Sequence, residues 1–439
     1  MSATMAVMLP PSRISQFLSD RAVQDGAFAA LIVLARIPAN LGTAGAAAGL
    51  ALMCLYAALR IDQCREALLR CRWQLAYPIV ALVSIAWAVQ PLVTGRAAVQ
   101  MAVTAFAGLL LSQAVRPRAV LAGLFCAFAG YTVISFLVGH TRPDGVTEAP
   151  ALFGLGGEAK NYFADSAATG ALLAVAMLAA SLERRAFGWA AGLAGIAVVC
   201  ILATEQARSA GAVASLALGG ALLVLLLALR MRSLALKAGA AAVLVAGLCL
   251  GAVFFEQLLE IVQQLSSKDA GLTGRGYLWY RAQFIIAERP WLGTGYFGFW
   301  TPTNPDAVGL WRHFDIRQEG TAFSFHNSYI QTIVETGYLG LAVLVGTWLA
   351  GTLALLRRFV LTRSLPTCFW LAYLTMELSK SPVEPIRPAA LVAPTVMLFA
   401  ALGFGWFPVA PGAEISLKSP DGARPRGRWP AATRPCFRS

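Results

Sequence analysis

Residues 209–230 read SAGAVASLALGGALLVLLLALR, twenty-one uncharged positions running from Arg208 to Arg230. A helix of that length rises about 30 Å, the thickness of the hydrocarbon layer of a bilayer. The run shows no alternation of period two, so it describes a helix and not a strand of a barrel. Comparable runs recur on both sides of it. We place spans near 23–37, 42–59, 74–90, 97–113, 119–138, 164–181, 186–203, 209–229, 234–255, 329–356, 366–379 and 389–407. The first is short and followed by Pro38, which also admits a re-entrant hairpin.

Composition agrees. The 439 residues are 58% hydrophobic and only 13% charged, with a mean hydropathy of +0.66, too apolar for a water-exposed surface. The expected architecture is therefore an all-α polytopic membrane protein of about 12 transmembrane helices with one large helical loop. Its parts are an N-terminal segment 1–22, a bundle 23–255, a loop 256–328, three last spans 329–407 and a basic tail 408–439. Met5 to Leu9 is a very short apolar patch stopped by Pro10 and Pro11 with no basic stretch ahead of it, which does not read as a secretory signal.

The formal charge of +13 raises the question of nucleic acid, and its distribution answers it. Basic residues gather on alternate connections: Arg60, Arg65, Arg70 and Arg72; Arg116 and Arg118; Arg184 and Arg185; Arg230, Arg232 and Lys237; Arg357, Arg358 and Arg363; and six more in the tail. The opposite short connections hold only Arg36, Arg96, Arg142, Lys160, Arg208, Lys380 and Arg387. This is the positive-inside bias of a membrane protein. It sets the N-terminal segment and the tail in the cytoplasm and the 256–328 loop outside. The tail, rich in Pro, Gly and Arg, reads as solvated and disordered. Of eight cysteines, Cys64 and Cys71 fall in one basic loop and none in the outer loop, so no disulfide framework is expected there.

That loop is too long for a bare connection and too aromatic for disorder. Residues 257–265 carry a helical apolar face, and a second helix is expected from Thr273-Gly274 to just before Pro290, carrying Arg275, Trp279, Arg281 and Gln283. Gly293-Thr-Gly295-Tyr-Phe-Gly298 matches a dinucleotide fingerprint as a string. It lacks the strand before and the helix after, and reads instead as a tight turn packing aromatic residues. The segment closes on His326-Asn327 and a helix in which Asn327, Gln331 and Glu335 share one face. Gly337 and Gly340 then redirect the chain.

Taken in order, these motifs resemble a known family. Gly157-Glu158-Ala159-Lys160-Asn161 before a span, Thr204-x-x-x-Arg208-Ser209 at the end of another, Gly274-Arg275-x-x-x-Trp279, Pro290-x-x-Gly293-x-Gly295, and His326-Asn327 ahead of Gly337-x-x-Gly340 are similar to the O-antigen ligase and polysaccharide polymerase superfamily. The chain departs from it at Glu205-Gln206-Ala207, where relatives more often carry hydroxyl side chains.

The resemblance implies a glycosyltransferase C-like fold in a bacterial inner membrane. It further implies transfer of an oligosaccharide from undecaprenyl diphosphate, a polyprenyl carrier, to a sugar hydroxyl on the periplasmic side, with inversion. The acceptor would be a lipid-linked repeat for a polymerase or a lipid A core sugar for a ligase. It marks His326, Arg275 and Arg208 as catalytic, and Lys160, Asn161, Trp279, Asn327 and Arg281 as substrate-binding. The residue types suit the chemistry. Arginine offers a planar fork to diphosphate oxygens. An imidazole, with a reference pKa of about 6.5, takes or orients an acceptor proton.

Plain structural roles stand beside these. Arg275 can pair with Asp269 or Glu288, Arg208 can snorkel at a helix end, and His326 can tie a neighbouring loop. No metal and no cofactor is expected: 37–42 and 90–94 lack the paired carboxylates of cation-dependent membrane glycosyltransferases, and His313 and His326 are poorly spaced for zinc. A many-helix transporter of a glycolipid or other solute is the alternative class. Against it, polar residues collect at one interface, with neither paired broken helices nor a mid-membrane relay. A receptor or scaffold has no positive sign in its favour.

Overall fold

The computed structural model describes residues 20–37, 41–143, 149–230, 274–316, 323–386 and 388–409. The expected span 234–255, the helix 257–265 and nearly all of the tail lie outside the described residues, as does Asp269.

The chain is helical almost throughout. The first half contains α1 (Arg21–Leu34), α2 (Gly42–Leu59), α3 (Ile61–Arg70), α4 (Ala76–Val83), α5 (Pro91–Ser112), α6 (Pro117–Val138), α7 (Lys160–Glu183), α8 (Phe187–Gln206) and α9 (Ala210–Arg230). A two-stranded antiparallel hairpin, β1 (Thr141–Pro143) with β2 (Pro150–Leu152), joins α6 to α7. Then come α10 (Arg275–Glu288), α11 (Pro305–His313), α12 (Ser328–Thr362), α13 (Leu365–Ser379) and α14 (Ala393–Phe404).

Seven of these helices, α2, α5 to α9 and α12, are long and apolar enough to cross a membrane, or eight if α3 and α4 form one bent span. Large apolar side chains stand outward on them, Leu92 at 89% and Leu137 at 78% exposure, as lipid-facing surfaces require. The protein is thus an all-α, multi-pass membrane protein. The expected count of about 12 is not reached among the described residues, and the reasons are local. α1, α13 and α14 are 14, 15 and 12 residues long. The stretch expected at 74–90 breaks into 3-10 turns on both sides of α4, and α3 meets it at a 78° bend. The basic stretch around Cys64 is likewise a helix, α3, because Gln63, Cys64 and Ala67 share a buried stripe.

α7 is the axis of the bundle. Of its most apolar window 72% is buried, against 17% for α2, because alanines at 164, 167, 168, 171 and 174 let α8, α6, α9 and α13 pack close. Elsewhere α1 crosses α6 where Gly26 meets Gly123, and α5 meets α14 where Gly108 faces Val396 and Phe399.

A second apolar core stands apart from the first. Leu278, Ala282 and Ile285 of α10 pack with Ala307, Leu310 and Trp311 of α11, and with Phe299, Phe325 and Val334. The described part of 256–328 is therefore a packed unit seated on the start of α12.

The fingerprint-like turn is what fastens it. α12 breaks at Gly337 (φ 69°), which strands carbonyls of the preceding turn. Thr294 N–H donates to Val334 O at 3.0 Å and Gly295 N–H to Glu335 O at 2.8 Å, so the turn supplies what the helix lost. Such an approach needs glycine: at Gly293 (φ 65°) a Cβ would run into the Glu335 backbone. The expected tight turn with packed aromatic residues is present, with Tyr296 fully buried and its hydroxyl donating to Pro388 O at 2.7 Å.

Candidate active site

His326 sits on the last residues before α12 in a left-handed conformation (φ 48°), which non-glycine residues adopt at a cost. Its surroundings hold it there. Asn327 caps α12 by accepting from Tyr329 N at 2.9 Å and Ile330 N at 3.0 Å, and its Nδ2 donates to Pro382 O. Gln331 accepts from Phe325 N at 3.0 Å and donates to Glu335, buried below it, at 2.8 Å. Trp279 of α10 donates its indole N–H to Phe325 O at 2.8 Å. Two residues expected to touch substrate, Trp279 and Asn327, thus fix the backbone on each side of His326.

Opposite lies the connection after α13, KSPVEPIR at 380–387. It is stitched to the start of α12 through Ser328: the Ser328 N–H donates to Ser381 O at 2.9 Å, its hydroxyl donates to Glu384 O at 2.7 Å, and Ile386 N–H donates back to that hydroxyl. This docking delivers Glu384, whose Oε1 accepts from Arg275 Nη2 at 3.1 Å and whose Oε2 lies 3.6 Å from His326 Nδ1. One carboxylate therefore accepts from the arginine of α10 and lies beside the histidine of the α12 cap, beyond hydrogen-bond length. Burial alone would push the Glu384 carboxyl up; the His326 imidazole and the Arg275 guanidinium outweigh it and hold the carboxyl below its ordinary value.

His326 and Glu384 face a cavity of about 350 Å³, which Asn161, Tyr162 and Asp165 of α7, Ser209, Gly211 and Ala212 at the start of α9, and Lys380 also line. Lys380 is 3% exposed and reaches Asp165 at 2.8 Å and Glu377 at 3.1 Å.

The other expected residues are dispersed. Arg275 stands behind Glu384, with its Nε buried and without a partner among the described residues. Arg208 occupies the turn between α8 and α9 (φ 52°) and donates to Pro150 O at 3.0 Å, one residue short of the cavity wall at Ser209. Lys160 begins α7 next to Asn161, outside the lining. Arg281 pairs with Asp306 of α11 at 3.3 Å, tying the two helices of the second core. Of the two partners expected from the sequence, Glu288 is passed over for Glu384, and Asp269 lies outside the described residues. Among the described residues, no group of three or more His, Cys, Asp or Glu is arranged to hold a metal ion.

Sequence reasoning missed Glu384, Asp165 and Lys380. One sign was available: Glu384 is a lone carboxylate between two prolines, on a connection already placed on the same side as His326.

A multi-pass helical bundle with a charged cavity at one end is the class that fold and site define. Comparison with known proteins then narrows it. Residues 169–345 match the family described as O-antigen ligase. The chain is also 30% identical over 279 residues to the exopolysaccharide production protein ExoQ of Rhizobium meliloti (strain 1021), covering 62% of this chain and 62% of that relative's length. Over its middle part the chain is thus similar to the O-antigen ligase family.

Proposed function

We propose that this protein is a glycosyltransferase of the bacterial inner membrane that moves an oligosaccharide from undecaprenyl diphosphate to a sugar hydroxyl on the periplasmic side. The observation that carries this is the Glu384 clamp, which sets Arg275 and His326 on one carboxylate beside the cavity. The name of the Rhizobium relative favours extension of an exopolysaccharide, with a lipid-linked repeat as acceptor, over ligation to a lipid A core.

In this proposal the acceptor hydroxyl attacks the anomeric carbon from the face opposite the diphosphate. The carbon–oxygen bond to the diphosphate breaks as the new glycosidic bond forms, with inversion. The acceptor proton passes to His326 Nε2, and Glu384, 3.6 Å from Nδ1, closes on that nitrogen to steady the imidazolium as it forms, the part a carboxylate plays in catalytic triads. The leaving diphosphate takes its counter-charge from Arg275, joined by Arg208, in a site that excludes water. Asn161 and Lys160 at the start of α7 approach the donor, while Trp279, Asn327 and Arg281 serve through the frame they hold. No step calls for a metal ion or a cofactor.

Reconstitution with a polyprenyl diphosphate oligosaccharide, offering a lipid-linked repeat and a lipid A core acceptor in turn, tests this. Product is expected with the first acceptor and in the presence of chelator. Absence of product with both, or complete dependence on added magnesium or manganese, would overturn it.

A further inference from the structure

A transferase that joins two large substrates needs two sites sharing a wall, and the bundle contains a second cavity in that relation to the first. It measures about 370 Å³ and lies among the ends of α1 and α2, the first turns of α7, and the approach to α14. Tyr162 and Asp165 line both cavities. Behind them Lys380 holds Asp165 and Glu377 together, three ionisable side chains taken largely out of water. Replacing such a buried ionic group by packed apolar residues is often neutral or stabilising, so its presence on this wall points to use more than to stability.

The chemistry of the second cavity differs from that beside Arg275. Its charged groups are Glu158, Asp165 and Glu377 against Arg36 and the neighbouring Lys380, a balance that does not favour a diphosphate. Carboxylates accept from hydroxyl groups, and aromatic rings offer flat apolar surface to the C–H face of a sugar. Tyr162 stands 55% exposed on the first turn of α7, where such a ring can be reached. Arg36 adds a donor: among the described residues its Nε is buried without a partner, and its Nη2 meets the Ala46 carbonyl at 3.5 Å.

We propose that this second cavity binds the acceptor glycan as an uncharged, polyhydroxylated saccharide. In it Asp165, held by Lys380, accepts from one sugar hydroxyl, and Arg36 donates to a sugar oxygen. The proposal rests on the transferase reading given above and supplies its second substrate site.

The test uses full-length protein in nanodiscs and two probes: the lipid-free oligosaccharide released by mild acid from the lipid-linked donor, and polyprenyl diphosphate carrying no sugar. Equilibrium binding of each is measured without turnover. Ala159→Trp obstructs the mouth of the cavity from an exposed position, and Arg36→Gln removes the charged donor. Each is expected to weaken binding of the free oligosaccharide about tenfold, with less than twofold change for the sugar-free lipid. Unchanged oligosaccharide binding in both variants, each with a wild-type melting temperature, would overturn the proposal. Selective loss of the sugar-free lipid would also overturn it, by making this a lipid site. Oligosaccharide binding that depends on this cavity in a protein showing no transfer would leave the saccharide site standing and remove the transferase reading instead.

Discussion

Two arginines on one short helix have different company. Arg275, at the first position of α10, meets Glu384 from a connection 109 residues later, with side chains 22% and 27% exposed. Arg281, less than two turns on, meets Asp306 only 25 residues later, with side chains 39% and 38% exposed. The first pair reaches on to His326 and borders a cavity. The second pins α10 to α11 at the surface of the outer core. Residue type and helix position do not separate them; the partner and its distance along the chain do.

The largest effect that would sharpen this contrast belongs to His326. His326→Ala should lower transfer by about a hundred- to ten-thousand-fold, the range of a lost general base, with donor binding nearly intact. Transfer at the wild-type rate by a correctly inserted His326→Ala protein would reduce the histidine to a structural role. Next, Arg275→Ala should weaken both donor binding and transfer. Arg275→Lys should restore little, because a point charge cannot present a bidentate fork to phosphate; full rescue by lysine in a donor-binding assay would contradict that geometry.

Glu384→Gln keeps the shape of the clamp and removes its charge. The carboxyl is held low in the folded protein, so its pairing with Arg275 and His326 is complete above the ordinary carboxylate value and is lost as pH falls through the lowered one. A pH–rate profile should show reduced transfer in Glu384→Gln across the neutral range, together with loss of whatever acid limb Glu384 contributes to the wild type. Identical profiles would remove Glu384 from the site. The smallest effect is expected at Arg281. Since exposed ion pairs contribute about 0–1 kcal/mol, Arg281→Ala should melt slightly earlier and transfer within about twofold of wild type. A large loss of transfer without loss of stability would instead give Arg281 contact with the glycan.

Local features were the ones legible in the sequence. The bounds of α10 followed from Gly274 and Pro290, the break in α12 from Gly337, and the turn at 293–298 from its glycines and aromatic residues, because each depends on backbone preferences of a few neighbouring residues. The number of spans is a different matter, seven or eight being long and apolar enough among the described residues against about 12 expected. Hydropathy cannot distinguish a full crossing from a run such as 72–86, which changes helix type twice and bends sharply against α3. Within the site, His326 and Arg275 stood in motifs, whereas Glu384 joins them only through the docking of 380–386 on Ser328, a contact between stretches that share no pattern.

That docking has a consequence for biogenesis. The arginine, the histidine and the capped start of α12 are all synthesised before the carboxylate that joins them, and the stitch through Ser328 cannot close until α13 and the connection beyond it have been made. Synthesis of the motifs and assembly of the clamp are thus separate events in time. A nascent chain halted within α13 would carry every motif through which the sequence resembles that family and still have no carboxylate between Arg275 and His326.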